Sequence, residues 1–254
     1  MSAADKEQKH IQTMRNMTAL FKGGVIVGVE NSDQAAIAEK VGARGVEVVV
    51  GTPAVKSTAA EGQTVTADPA TVRDVLDTIV LPVVVRVRQG HFIEAEVMET
   101  SGANVLDEHE VDSKGKDIGI AMDKKNFKIP VIGGASNLKE ALTAISQGAT
   151  LIRTTSKDAF DALTVENTVK TLNTILGDIN KLVEGKVTVA SLGADLEALA
   201  NDVVKNKRLP VPLFAEGGIA LSSDAAMMMD LGADGRSESR PSPLVYRQGS
   251  PALQ

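Results

Sequence analysis

The sequence contains no cysteine and no tryptophan, and only one of its 254 residues is a tyrosine. The absence of cysteine excludes disulfides, thiolate chemistry and cysteine-ligated metals. Aromatic residues make up 2% of the chain, so side chains on which nucleic-acid bases could stack are scarce. The histidines, His10, His91 and His109, are scattered without the spacing of a metal site. We therefore expect neither a metal nor a cofactor.

Positive charge and long hydrophobic runs are also scarce. Lys and Arg number 27 against 33 Asp and Glu, and the net charge of −6 argues against a general nucleic-acid binder. No apolar run reaches the roughly 20 residues of a membrane-spanning helix, and the charged N-terminus is unlike a secretory signal. The hydrophobic content of 43% still suffices for a full core. These features predict a cytoplasmic protein that binds neither nucleic acid nor membrane.

One pattern repeats along the chain: an apolar helix face, a Gly-Ala pair and then a strand. Glycine accepts the left-handed backbone at a helix end, and alanine lets the returning strand pack closely. Strands are predicted to begin near Val25, Val46, Val83, Asn104, Pro130, Thr150 and Val211. Alternating strands and helices predict an α/β protein with a parallel sheet, and this number of units favours a (β/α)8 TIM barrel. A doubly wound sheet is the alternative, although no Gly-x-Gly-x-x-Gly follows the first strand.

Both ends of the chain depart from this pattern. Residues 1–22 are predicted to form a helical segment with its apolar residues on one side, namely Ile11, Met14, Met17 and Leu20. Such a helix either packs on its own domain or docks to a partner. Residues 23–235 are predicted to form the barrel, and residues 236–254 a Ser-, Pro- and Arg-rich tail that resists strand formation. The eighth β/α unit is therefore predicted to be missing or altered.

An anion site is predicted where the third strand ends. Arg86 and Arg88 lie one strand period apart after a β-branched run, so their side chains should share a face. The apolar flanks indicate burial, and a buried arginine requires a partner such as phosphate. The alternative is an exposed strand end with solvated arginines.

Two other strand ends offer candidates, because the site of a (β/α)8 barrel lies at the C-terminal ends of its strands. Asp107 follows an apolar triplet and is predicted to point inward, with His109 on the same face. For Glu108 and Glu110, on the other face, a solvated loop is as plausible as a function. A Gly-Gly pair at 217–218 precedes a helix whose free N–H groups could hold phosphate.

Several motifs, taken together and in order, resemble those of one family. They occupy residues 22–27, 34–39, 88–95, 106–111, 140–142, 152–154, 208–211, 214–219 and 224–235. From them the chain is identified as a member of the PdxS/SNZ family, the synthase subunit of glutaminase-coupled pyridoxal 5′-phosphate (vitamin B6) synthase. The resemblance implies a (β/α)8 barrel that forms hexameric rings and stacked dodecamers. It also implies an enzyme that condenses ribose 5-phosphate, glyceraldehyde 3-phosphate and ammonia, with ammonia supplied by a glutaminase subunit that docks partly through the N-terminal helix.

The chain departs from the family where the resemblance places covalent chemistry. That chemistry uses lysine Schiff bases, because an uncharged amine must attack the sugar carbonyl. Arg86 occupies the position of the first imine-forming lysine, and Thr155 that of the second. Gly28 occupies the position of an aspartate that contacts the sugar. A guanidinium stays protonated and cannot serve as the nucleophile.

Phosphate-binding elements have also changed. The family's glycine-rich loop has become residues 156–160, which include Lys157, and the Gly-Ser phosphate contact of strand eight is lost. His91 is retained. We predict Asp107 and Arg86 at catalytic positions, and we predict a set of substrate-phosphate-binding residues: Gly217, Gly218, Arg88, Arg153 and Gly28.

These departures lead to one leading hypothesis and two alternatives. The leading hypothesis is a non-catalytic family member, a pseudoenzyme that co-assembles with an active paralogue or modulates it. The first alternative is an active or altered synthase that processes a phosphosugar such as ribose 5-phosphate, with Asp107 as acid or base. The second is that the tail after Gly235 comes from a frameshift or a gene-model error.

Overall fold

The computed structural model describes residues 3–50, 66–109, 121–155, 164–219 and 221–241. Its parallel strands form a closed barrel in chain order, with β8 paired to β1. The strands are β1 Val25–Val29, β2 Gly45–Val48, β3 Val83–Arg88, β4 Val105–His109, β5 Val131–Ala135, β6 Leu151–Thr154, β7 Leu213–Glu216 and β8 Gly235–Pro241. The helices are α1 Ala3–Ala19, α2 Ser32–Lys40, α3 Pro69–Thr78, α4 Phe92–Thr100, α5 Leu138–Ser146, α6 Val165–Val183, α7 Glu197–Asn206 and α8 Ser222–Leu231. The predicted (β/α)8 barrel is confirmed.

Apolar side chains fill the barrel on both sides of its wall. Outside the wall, one cluster packs β1–β4 against α2–α4 and a second packs β5–β7 against α5–α8. Inside, a third cluster fills the half nearer the N-terminal ends of the strands with Phe21, Ile26, Val84, Val105, Ile132, Leu151 and Phe214. None of the helices in the described ranges combines the length and the hydropathy that a membrane-spanning helix requires. The apolar interior layer is the floor on which the candidate site rests.

Helix α1 packs against its own barrel at the N-terminal end. The hydroxyl of Thr18 donates to the backbone oxygen of Thr150 over 2.7 Å. Phe21 follows the helix and closes the barrel, and its ring lies 2.8 Å from where a Cβ of Gly45 would be. Of the apolar residues predicted to share one side of the helix, Met14 is buried. Met17 is 40% exposed and Leu20 is 70% exposed, so both lie outside the contact. Packing on its own domain is therefore the observed arrangement of this helix.

The Ser-, Pro- and Arg-rich segment forms a strand. β8 pairs with β7 through Glu216 opposite Ser237 and with β1 through Val25 opposite Arg236. Of the two predicted alternatives, a missing or an altered eighth unit, a missing strand is excluded. The strand forms because the flanking strands offer unpaired backbone groups that outweigh an unfavourable composition. β8 spans the predicted boundary between residues 235 and 236, and residues 242–254 lie outside the described part of the chain.

Candidate functional site

Charged and titratable side chains from separate strands converge in the barrel interior above the apolar floor. Inward positions alternate along a strand, so the residue two places after an inward floor residue also points inward. Val84 is followed in this way by Arg86, and Phe214 by Glu216. We call the converging set the interior charge cluster, and its members are Glu47 on β2, Arg86 on β3, Asp107 and His109 on β4, Arg153 on β6 and Glu216 on β7.

Arg86 is held inside the barrel by two glutamates. Its Nε donates to Oε1 of Glu47 over 3.0 Å, and its Nη2 lies 2.9 Å from the same oxygen. Oε1 of Glu216 lies 3.5 Å from Nη2. Burial alone would lower the pKa of Arg86, but Glu47, Glu216 and Asp107 together raise it above its ordinary value. The guanidinium is therefore a permanent, fixed cation.

Asp107 is the second centre of the cluster. Nε of Arg153 donates to its Oδ1 over 2.9 Å, and Nε2 of His109 lies 3.0 Å from its Oδ2. Burial opposes ionisation of Asp107, but Arg153 and His109 outweigh it and hold the pKa of this carboxyl below its usual range. Burial, assisted by the two arginines, lowers the pKa of His109 to about 4. At neutral pH a neutral imidazole therefore donates its Nε2 proton to an ionised Asp107.

Glu216 and Glu47 differ from Asp107, because their pKa values are raised and they tend to keep their protons. Burial raises the pKa of Glu216 to about 8 despite the nearby Arg153, and the negative Glu47 and Asp107 act in the same direction as burial. Burial also raises the pKa of Glu47. Two guanidiniums balance two carboxylates, so a third carboxyl group in the same buried volume retains a proton near neutral pH. The cluster is then electrically neutral.

A metal ion would find suitable donor atoms in this cluster. One ligand atom each from Glu47, Asp107 and His109 lies within 4.8 Å of the others, and such an oxygen and nitrogen set suits a divalent cation. However, Arg86 and Arg153 already neutralise the carboxylates, so a cation would sit beside two guanidiniums. The charge balance therefore favours a retained proton over a metal.

Arg88 lies apart from the interior charge cluster. Its guanidinium forms an ion pair with Glu94, in the first turn of α4, and its side chain is 36% exposed. The predicted convergence of Arg86 and Arg88 on one anion does not occur, because each arginine has its own carboxylate partner. A phosphate that used both would have to displace these partners.

The predicted glycine positions lie at the rim and in the wall of the barrel. Gly217 and Gly218 follow β7 with φ angles of 117° and 65°, which favour glycine. The hydroxyl of Thr168 donates to the backbone oxygen of Gly217 over 2.9 Å and so anchors this turn before α8. Gly28 lies in β1 opposite Glu47. Thr155 directly precedes residues 156–163, which include Lys157 and lie outside the described part of the chain.

Glu108 has a structural role on the outer face of β4. It is 6% exposed, forms an ion pair with the buried Lys124, and accepts the backbone N–H of Met122 over 2.8 Å. The solvated-loop interpretation of Glu108 is therefore wrong, because a buried amine and backbone donors satisfy its carboxylate. Glu110 lies outside the described residues.

The sequence analysis missed Glu47. It did contain a signal, because Glu47 is a single charged residue within the apolar strand from Val46 to Val48. A charged residue in a strand that is otherwise buried requires a partner. The identity of that partner depends on which strands adjoin in the barrel.

Comparisons with known proteins identify relatives of this chain. The sequence model of the SOR/SNZ family matches residues 10–229. The chain is 40% identical over 226 residues to the pyridoxal 5′-phosphate synthase subunit PdxS of Clostridium acetobutylicum. The aligned residues make up 87% of this chain and 76% of that protein. The subunit of the same name from Corynebacterium urealyticum is 40% identical over 243 residues, covering 94% and 77%. The PdxS subunit of Methanosarcina mazei is 40% identical over 225 residues, which make up 87% of this chain and 73% of that protein.

Proposed function

The chain belongs to the SOR/SNZ family, and from this membership we propose that it is a synthase-subunit homologue in pyridoxal 5′-phosphate formation that does not itself form sugar imines. The observation that carries the proposal is the environment of Arg86. This residue stands where the resemblance places the first imine-forming lysine, and Glu47 and Glu216 hold it as a cation. Imine formation requires a neutral amine, which a guanidinium does not provide.

No lysine amine replaces Arg86 within the described part of the chain. The buried Lys124 pairs with Glu108 on the outer face of β4 and does not reach the interior charge cluster. Thr155, at the second lysine position, carries a hydroxyl group. Lys157 lies outside the described residues, so its amine is the one that an experiment must test.

The proposed role is co-assembly with an active paralogue, or with further copies of this chain, in the family's hexamers or dodecamers. The closed barrel and its N-terminal helix support this role, because the family model matches residues 10–229, which include part of the helix and seven of the strands. A glutaminase subunit is a further proposed partner. Met17 and Leu20 of the N-terminal segment remain exposed apolar side chains that such a partner could cover.

Altered chemistry on a phosphosugar is the second candidate function. It is supported by the pKa values of two neighbouring side chains, which burial raises to about 8 for Glu216 and lowers to about 4 for His109. Oε1 of Glu216 lies 3.7 Å from Nε2 of His109. A protonated acid beside a neutral base is typical of acid–base catalysis. Asp107 suits the role of acid less well, because its lowered pKa keeps it ionised.

Imine trapping tests the leading proposal. The protein is incubated with ribose 5-phosphate and borohydride, and its intact mass is measured beside that of an active family member. We expect an adduct on the active protein and none on this chain. An adduct on this chain, whether at Lys157 or elsewhere, would overturn the proposal. Saturable ribose 5-phosphate binding that Arg86→Ala abolishes would instead favour the second candidate.

Co-expression tests the proposed partners. A tagged active family member is produced together with this chain, and the purified assembly is examined by native mass spectrometry. We expect rings that contain both chains. Complete separation of the two chains, with this one remaining monomeric, would contradict the co-assembly role but would leave the result of imine trapping unaffected.

A further inference from the structure

Glu47 is the most completely buried carboxyl group of the interior charge cluster. Its relative exposure is 0%, and the guanidinium of Arg86 presents both Nε and Nη2 to its Oε1, at 3.0 and 2.9 Å. Its Oε2 is buried and has no hydrogen-bond partner within the described ranges. A carboxylate in this position depends on a neighbouring cation, because water does not solvate it.

Arg86 favours the ionised form of Glu47 more strongly than Arg153 does. Arg153 donates from Nε to Asp107 and from Nη2 to the backbone oxygen of Glu108, over 2.9 and 3.0 Å. His109 directs Nε2 to Asp107 at 3.0 Å and lies 3.8 Å from Glu47. The guanidinium of Arg86 is therefore the principal counter-ion of Glu47.

We propose that Glu47 is a positioning residue that keeps the side chain at position 86 as a bound cation and so keeps the site silent. This inference rests on the proposed function. In imine formation the amine lone pair attacks the carbonyl carbon, the amine loses its protons, and the carbonyl oxygen leaves as water. Burial favours the protonated form of Glu47, whereas the contacts with Arg86 at 2.9 and 3.0 Å favour the ionised form. A lysine at position 86 beside an ionised Glu47 retains its proton, because deprotonation would leave the buried carboxylate without its principal counter-ion. Arg86→Lys alone is therefore insufficient to restore imine formation.

The test measures the titration of a lysine introduced at position 86. Three variants are compared: Arg86→Lys, Arg86→Lys with Glu47→Gln, and Arg86→Lys with Glu108→Gln as the control. Glu108 is a buried carboxylate on β4 that faces away from the cluster, so the control removes a buried charge without changing the surroundings of position 86. Peptide mass spectrometry measures the rate at which acetic anhydride acetylates the lysine at position 86 as a function of pH. This rate reports the pKa of that amine in the absence of a sugar substrate.

We expect Glu47→Gln to lower the titration midpoint by about one to three pH units, as removal of an adjacent opposite charge does. The Arg86→Lys single variant should titrate at or above the ordinary lysine value of about 10.4, and the control should match it. Imine trapping at neutral pH should follow the same order, with at least about tenfold more adduct in the Glu47→Gln double variant than in the single variant.

Two results would overturn the inference. One is a midpoint for Arg86→Lys well below the ordinary lysine value, which is informative even if the double variant does not fold. The other is an equal midpoint with and without Glu47→Gln. An adduct on the unmodified chain would overturn the proposed function instead, and would leave these titrations unchanged.

Discussion

Arg86 and Arg88 lie on one strand and one face, yet carboxylates from different elements hold them. Arg86 meets Glu47 of the adjacent strand inside the barrel, and Arg88 meets Glu94 of the following helix near solvent. The strand period predicts the shared face, but it does not predict where a long side chain ends. The counter-charges decide that, and Glu47 lies 39 residues before Arg86 in the chain.

Removing one partner of a buried ion pair of the cluster should cost far more stability than removing one partner of the pair near the surface. Arg153→Met leaves Asp107 buried without its guanidinium, and we expect the free energy of unfolding to fall by about 3–5 kcal/mol. Arg88→Met is the matched control, because its pair with Glu94 is partly exposed. There we expect a loss of about 0.2–1 kcal/mol. Urea unfolding measures both, and equal losses would contradict the assignment of Arg153 to a buried network.

At the scale of the element, β8 is the strand that amino-acid composition does not predict. Each of the other strands contains buried aliphatic residues, and these residues make the strand predictable from the sequence. β8 is polar, and it forms because β1 and β7 present unpaired edges on either side of it. Gly235 contributes as well, since a Cβ at this position would lie 2.3 Å from the ring of Phe214. Neither cause is visible without the neighbouring strands.

In the N-terminal segment, the sequence analysis correctly included Met14 among the apolar contact residues but omitted Phe21. Phe21 is 2% exposed at the base of the barrel, whereas the predicted Leu20 is 70% exposed. We expect Phe21→Ala to lower the free energy of unfolding by about 3–5 kcal/mol, because it opens a cavity in a packed layer. Leu20→Ala, its sequence neighbour, should change it by at most about 0.5 kcal/mol. Similar losses in urea unfolding for both variants would show that Phe21 does not close the barrel.

At the scale of the whole molecule, the interior charge cluster connects strands from both halves of the barrel. Its members come from β2, β3, β4, β6 and β7, so their ionisation affects unfolding of the entire barrel. Glu216 has a pKa of about 8 in the folded protein and 4.5 ordinarily. The stability that it provides is complete below pH 4.5 and is lost as the pH rises through 8. Glu47, whose pKa is also raised, acts in the same sense.

His109 acts in the opposite sense, which defines the pH window to examine. Its pKa falls from 6.5 to about 4 on folding, so its contribution is complete above pH 6.5 and is lost as the pH falls through 4. Between pH 6.5 and 8 the titration of the glutamates therefore dominates within the cluster. We expect the melting temperature of the protein to fall as the pH rises through this window.

Glu216→Gln supplies the decisive comparison, because glutamine keeps the shape of the protonated acid but does not titrate. Its melting temperature should change less with pH between 6.5 and 8 than that of the unmodified protein, since the proton that Glu216 would release is absent. Glu108→Gln, which removes a buried carboxyl group outside the cluster, should keep the original slope. If the slope of Glu216→Gln equals that of the unmodified protein, the retained proton belongs to a different group. The neutral state that we assign to the cluster would then be wrong.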